Sequence, residues 1–439
     1  MNWALARQLA IIVTVAAIAT IYGVFARGHD LFPTGLVLEA NKLIYTAVNK
    51  AHNKGPASYY YIPATDPHSV TVRKPDRMEP GLTLVSGLGK PEALFARLVD
   101  DQGRVEQSWS LDWNRLWPNP THLKPAARAK ANHGVLSLGA VVSENGDLTF
   151  NFEQLGMVQL DVCGRVKWRV PKMANHSLFR DEAGNFWTQE LVERSTPIDG
   201  LPNYKLPFEE HMVMEVSPEG KILKEISVLQ LLQRNEYNGL LFMRATDTWS
   251  TAVTGDTLHI TSINIFPKTT KPGRFKAGDV MLSLNGINTV IVFDPATMVV
   301  KASVTGPFLR QSDADFVDGD TISIFDNHNV SPDRMNGSSR VIEHSFKTGE
   351  DRVVFKGDAS HPFYSAIMGR HQRLPNGNLL LTEGLKGRVI EVDSGGQAVW
   401  EYFNVADPHT LAIIEDAQRI PENTLTTEKL KRLQAACHS

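Results

Sequence analysis

The chain has 439 residues, of which 42% are hydrophobic and 21% charged, enough apolar material for a large core and too much for a mainly disordered protein. Its 45 Lys and Arg against 48 Asp and Glu leave a formal net charge of -3, without the basic excess that phosphate backbones demand, so nucleic acid is excluded as the expected partner. Two cysteines, Cys163 and Cys437, are too few for a disulfide framework or an all-cysteine metal site.

The first element in chain order is the uncharged run Leu9 to Ala26, flanked by Arg7 and Arg27. At about 1.5 Å rise per residue it reaches roughly 27 Å, just enough to span a bilayer and longer than the apolar stretch of a cleaved secretory signal. Residues 1–29 are therefore expected as a single-pass membrane anchor, with a signal cleaved near Val24 and Ala26 as the alternative. Leu36 to Ala51 has helical apolar spacing that Lys54-Gly55-Pro56 stops, so residues 30–79 read as a juxtamembrane helix and lead-in.

Beyond Pro80 short apolar runs alternate with Gly, Asn, Asp and Pro turn clusters, the pattern of an all-β fold. A strand opens behind glycine at Gly81, Gly146, Gly184, Gly278, Gly319 and Gly377, and each opening is followed by a second turn and strand. Repetition of this kind predicts a six-bladed β-propeller over residues 80–408, each opening strand being taken as the innermost of its blade. The irregular spacing also accommodates a seventh blade or a pair of β-sandwiches. Ser227 to Phe242 predicts a helical insert between blades three and four, and residues 409–439 a tail with a short helix from Thr427.

Propeller function gathers at a mouth of the central channel, so residues just before each opening strand are the candidates. They include His133, His176, His259, the Ser312-Asp313-Ala314-Asp315 stretch, and Arg370-His371-Gln372-Arg373. Neutral imidazoles brought together act as bases, as nucleophiles toward an electrophilic group, or as metal ligands. No carboxylate is placed regularly among them, so neither metal nor cofactor is expected. Arg370, Arg373 and Arg340 offer planar forks to an anion. Trp168 and Trp400 read as core, and Tyr59 to Tyr61 as packing on the propeller side.

Phe363 to Tyr402 (FYSAIMGRHQRLPNGNLLLTEGLKGRVIEVDSGGQAVWEY) resembles the last blade of the arylsulfotransferase-like family. Pro80 to Gly87, Gly156 to Trp168, Gly220 to Leu232 and Gly278 to Pro295 resemble the same family, so the likeness covers nearly the whole chain after Pro80. The resemblance implies a six-bladed propeller exported in bacteria, here facing the periplasm from the inner membrane. It implies transfer of a sulfuryl group from a phenolic sulfate ester to a phenol, without a nucleotide donor, through a sulfohistidine. The implied partner is a small anionic substrate such as an aryl sulfate.

Carried over position by position, the resemblance is partial. His176 and His259 match two sulfate-site histidines, while Thr261 stands for the expected Asn, Asn285 for the sulfate-binding Arg, and Ser312 for the nucleophilic His. A serine sulfate ester is a poor leaving state beside a sulfoimidazole, so His371 is the candidate for a relocated nucleophile. The expected catalytic residues are then His176, His259 and His371, pointing into one cavity, with Arg370, Arg373, Asn285, Ser312 and Thr261 on the substrate. The alternative is a noncatalytic propeller that binds a glycan, a small anion or an envelope protein.

Overall fold

The computed structural model describes residues 13–23, 60–64, 66–90, 93–129, 135–245, 252–330 and 336–437. Residues 1–59 and 60–439 form two separate compact units. Of the first, residues 13–23 are an exposed α-helix. Among the described residues no helix is long and apolar enough to cross a membrane. The remainder of the expected anchor, all of the Leu36 to Ala51 helix, and His133 lie outside the described residues.

The second unit is all-β and propeller-like, with few helices: six sheets of at least four strands follow one another along the chain. Their innermost strands are Ile414–Arg419, Ser137–Val142, Ala174–Arg180, Ile260–Ile265, Asp313–Phe316 and Gly369–Arg373. Each of these touches the next in that order, and the last touches the first, so the six strands close a ring. Neighbouring sheets cover both faces of Ser137–Val142, Leu148–Phe152 and Gly156–Leu160, which are buried throughout. The outermost Val166–Val170 alternates partly buried and exposed residues instead.

The glycine-led runs prove to be second strands in every sheet: Thr83–Gly89, Leu148–Phe152, Phe186–Arg194, Val280–Leu284, Thr321–Asp326 and Leu379–Glu383. The expectation that they are innermost is corrected by one strand. In all but the first sheet the glycine belongs to the connection that joins the inner strand to the second. At Gly184, φ is +86°, and Asp181 Oδ1 accepts the N–H groups of Ala183 and Asn185 at 2.9 Å. That turn chemistry is a stronger sequence signal than the short inner strand before it.

The expected boundary at 408 is also corrected. Ile414–Arg419 is the inner strand of the first sheet, hydrogen-bonded to Thr83–Gly89, so the carboxyl-terminal segment closes the ring that the start of the unit leaves open. Val70–Arg73 likewise pairs with Ala398–Phe403 at the outer edge of the sixth sheet. The insert between the third and fourth sheets is helical as expected, in two pieces, Val228–Arg234 and Asn238–Leu241, with Ser227 Oγ capping the first. Val228, Leu229, Leu231 and Leu232 are buried against the third and fourth sheets.

The two cysteines are joined, Cys163 to Cys437, across 274 residues of sequence. The bond ties the end of the helix Thr427–Ala435 to the hairpin after Gly156–Leu160, where Leu430 and Leu433 pack into the main core. Composition excluded a framework of several bridges, but it is silent on whether two lone thiols meet.

Candidate active site

All six inner strands run in the same direction around the ring, so their starts converge at one end and their ends at the other. A cavity of about 620 Å³ opens at the starts, lined by Gly139, His176, Thr261, Ser312, Arg370 and Glu415 among others. A second, of about 460 Å³, opens at the ends and takes in Asp313, Asp315, His371 and Arg373. Arg370 borders both.

The first cavity is built from irregular backbone. The ladder shifts register between Ser137 and Ala140, between Asn175 and Leu178, between Ile260 and Ser262, and between Ile414 and Asp416. Each bulge frees residues from the ladder to line the cavity: Gly139, His176, Thr261 and Glu415. Four of the nine described non-glycine residues with positive φ, His176, His259, Arg310 and Met368, line it as well. Left-handed backbone costs of order 1–3 kcal/mol per residue and gathers where function over-determines the fold. Gly139 (φ +79°) permits a close approach of two inner strands, because a Cβ there would meet the carbonyl oxygen of His176 at 2.5 Å.

The rings of His176 and His259 meet edge to face, with centroids 5.0 Å apart. Asp256, at the end of Val253–Asp256, holds His259 through two contacts: Oδ2 meets Nδ1, and Oδ1 accepts the backbone N–H at 2.9 Å. The same Oδ1 lies 2.7 Å from Nε2 of His211, which is buried. Burial by itself would raise the Asp256 pKa, but the hydrogen bonds from His211 and His259 outweigh it and hold the carboxyl well below its usual range. With Nδ1 engaged by a carboxylate, His259 presents Nε2 as its free lone pair. His176 is kept neutral: burial, then the charges of His259 and Arg370, push its pKa well down.

Cationic groups surround the pair. Arg244 Nη1 donates to the Asp256 carbonyl at 2.6 Å. The guanidinium of Arg310 is exposed at the cavity and, among the described residues, has no hydrogen-bond or ion-pair partner. Thr261 Oγ1 is 3.1 Å from Ser283 Oγ, and Asn285 Nδ2 donates to the Gln311 carbonyl at 2.9 Å. The Ser312 hydroxyl donates to Asn327 Oδ1 at 2.6 Å. His176, His259, Thr261, Asn285, Ser312 and Arg370 are thus brought to one cavity.

His371 and Arg373 are not. The expectation of three histidines in one hollow is corrected: His371 lies one residue further along its strand than Arg370, and lines the second cavity. Its Nδ1 is 3.0 Å from Asp313 Oδ2 and its Nε2 2.7 Å from Ser323 Oγ, so both nitrogens are engaged. Arg373 pairs with Glu343, and Arg340 with Asp326 at 2.8 Å. Asp313, Asp315 and His371 have ligand atoms within 4.8 Å of one another, a spacing a metal ion would accept. Arg370, 3.0 Å from Asp313, already supplies the positive charge there.

Sequence reasoning missed His211, Asp256, Arg244, Arg310, Glu153 and Glu415, and took Tyr60 for outer packing although it lines the first cavity. One signal was present: in Asp256-Thr257-Leu258-His259 a carboxylate precedes a candidate histidine by three residues. The others arrive from distant strands and loops.

Among solved structures, a protein of unknown function from Bacteroides caccae is similar over 77% of this chain and 98% of its own, with 13% identity and a TM-score of 0.48. A streptogramin B lyase is similar over 79% of this chain and 88% of its own, at 11% identity and a TM-score of 0.38. For the hydrazine synthase of Kuenenia stuttgartiensis the values are 76%, 78%, 11% and 0.40. No curated protein matches the chain. The sequence profile described as Arylsulfotransferase (ASST) matches residues 141–405, which run from the second sheet to the sixth and contain both cavity histidines. With more than half of its length matched, the chain belongs to the arylsulfotransferase family.

Proposed function

We propose that the first cavity transfers a sulfuryl group between phenols through His259. The observation that carries the reading is the Asp256–His259 pair set edge to face against a neutral His176, in a cavity bordered by the exposed guanidinium of Arg310. In the first half-reaction Nε2 of His259 attacks the sulfur of an aryl sulfate. The bond from sulfur to the aryl oxygen breaks, and the phenolate leaves with its electron pair. In the second, a phenol loses its proton and attacks the same sulfur, and the S–N pair returns to Nε2. Asp256 keeps the Nδ1 proton in place and stabilises the cationic imidazole, while Arg310, Arg370 and Arg244 face the charge spread over the sulfate oxygens. His259 thereby takes the part the family gives to the position of Ser312, and Arg310 that of Asn285.

We read the six sheets as six blades of one propeller, and Leu9 to Ala26 as an anchor that holds it on the periplasmic side of the inner membrane. The Cys163–Cys437 bond supports an oxidising compartment, because disulfides persist outside the cytosol. Incubating the full chain with 4-nitrophenyl sulfate and a naphthol tests the chemistry. Sulfated naphthol and a sulfated peptide containing His259 are expected; the absence of both sinks the proposal. The replacement of the family's nucleophile and arginine by Ser312 and Asn285 favours, as second reading, a propeller that only binds anions. In that case Asp256→Asn leaves aryl sulfate binding intact and no turnover exists to lose.

A further inference from the structure

The transfer chemistry leaves one proton unassigned: the departing phenolate must gain one and the incoming phenol must lose one. Asp256 is already committed to His211 and His259, and His176 is held without its second proton. Two further carboxyl groups line the cavity, Glu153 from the loop after Leu148–Phe152, and Glu415 from the closing inner strand.

Glu415 sits in the bulge between Ile414 and Asp416, which turns it out of the ladder. It is 3% exposed. Its Oε2 accepts the N–H of Ser137 at 3.0 Å, whereas its Oε1 is buried and has no hydrogen-bond partner among the described residues. An unpaired buried carboxyl oxygen is costly, and cheapest when the group is neutral. Burial pushes the Glu415 pKa well up; the Ser137 N–H opposes this, and the like charges of Glu153 and Asp416 add to it. A neutral carboxyl with no acceptor of its own among the described residues is a hydrogen-bond donor waiting for a ligand oxygen.

We propose that Glu415 is the proton shuttle of the cavity, with its carboxyl directed at the phenolic oxygen of donor and acceptor in turn. As the S–O bond of the aryl sulfate breaks, the Glu415 proton passes to the departing oxygen and leaves a carboxylate. As the second phenol attacks, that carboxylate takes the phenolic proton, which restores the acid and balances the cycle without a further reactant. The ligand class is a phenol or phenolic ester whose oxygen reaches the floor between the first and second sheets. The shuttle rests on the sulfuryl-transfer reading, and its test is chosen so that each can fail alone.

Leaving-group dependence is the kinetic arm. Glu415→Gln keeps the shape of the side chain and removes the proton. With no acceptor present, single-turnover release of 4-nitrophenol from its sulfate, a phenolate that leaves unaided, is expected to stay within about threefold of the native protein, while release of phenol from unsubstituted phenyl sulfate falls about a hundredfold. An equal loss for both substrates overturns the shuttle, as does the same selective loss in Glu153→Gln with Glu415→Gln unaffected. Infrared difference spectra of the resting protein form the second arm and need no turnover. A protonated-carboxyl band is expected at neutral pH, absent from Glu415→Gln and shifted when a phenol is added. A missing band, or one that phenol does not move, overturns the shuttle even where transfer is intact. A band that shifts in a protein without transfer places the failure on the histidine chemistry instead.

Discussion

The two ends of the channel are made from the same six strands, yet they treat charge in opposite ways. At the ends of the strands each described cation has a counter-charge: Arg180 with Glu144, Arg370 with Asp313, Arg373 with Glu343, Arg419 with Glu391. None of the described left-handed non-glycine residues lines that cavity. At the starts of the strands the backbone is bulged and left-handed, and among the described residues Arg310 has no partner for its guanidinium and Glu415 none for one carboxyl oxygen. The ordered end resembles a core that happens to be polar. The strained end carries costs that folding alone does not require, which is why the chemistry is assigned there.

The largest expected effect is at the strained end. His259→Ala should lower kcat/KM for aryl sulfates by at least about a thousandfold in steady-state assays, since it removes the attacking nitrogen. Residual activity within tenfold would break the comparison at its centre. Asp256→Asn should cost about a hundredfold in kcat, because an amide no longer fixes the Nδ1 proton or stabilises the cation, and should shift the pH profile of kcat. Arg310→Gln should raise KM about tenfold with a smaller effect on kcat, as expected for the loss of one charge-assisted contact to sulfate.

The remaining two expectations concern stability. His371→Gln should leave kcat within about twofold but lower the melting temperature by a few degrees, since it disturbs buried bonds to Asp313 and Ser323. A large loss of kcat would return His371 to the chemistry. Glu415 has its pKa raised on folding, so its contribution is fully present below the unfolded value of about 4.5 and is lost as pH rises through the folded value. Glu415→Gln should therefore gain in melting temperature relative to the native protein as pH increases from 4 to 8. A constant difference across that range would show that the carboxyl is not held neutral.

Much of this was legible in the residues, and the limits have physical causes. The turns at Gly146, Gly184 and Gly377 announce their hairpins, because a positive φ and a capping Ser, Asp or Asn need particular residues. The inner strand Asp313–Phe316 is only four residues long, so its alternation of Asp with Ala and Phe is too short to mark a strand. His176 and His259 stood out by type and by family likeness. His371 stood out by type alone and lies at the other mouth, because Gly369–Arg373 runs along the channel and successive residues on it serve different ends.

The sequence by itself determined the all-β class, the repeat, the helical insert and two of the cavity histidines, because these depend on turn chemistry and on periodicity within a few residues. Ring closure by Ile414–Arg419, the meeting of Cys163 with Cys437, and the gathering of Asp256, His211, Arg310 and Glu415 around those histidines were decided only in three dimensions. They join groups far apart in the chain, and no local pattern records which strands a closed ring will bring face to face.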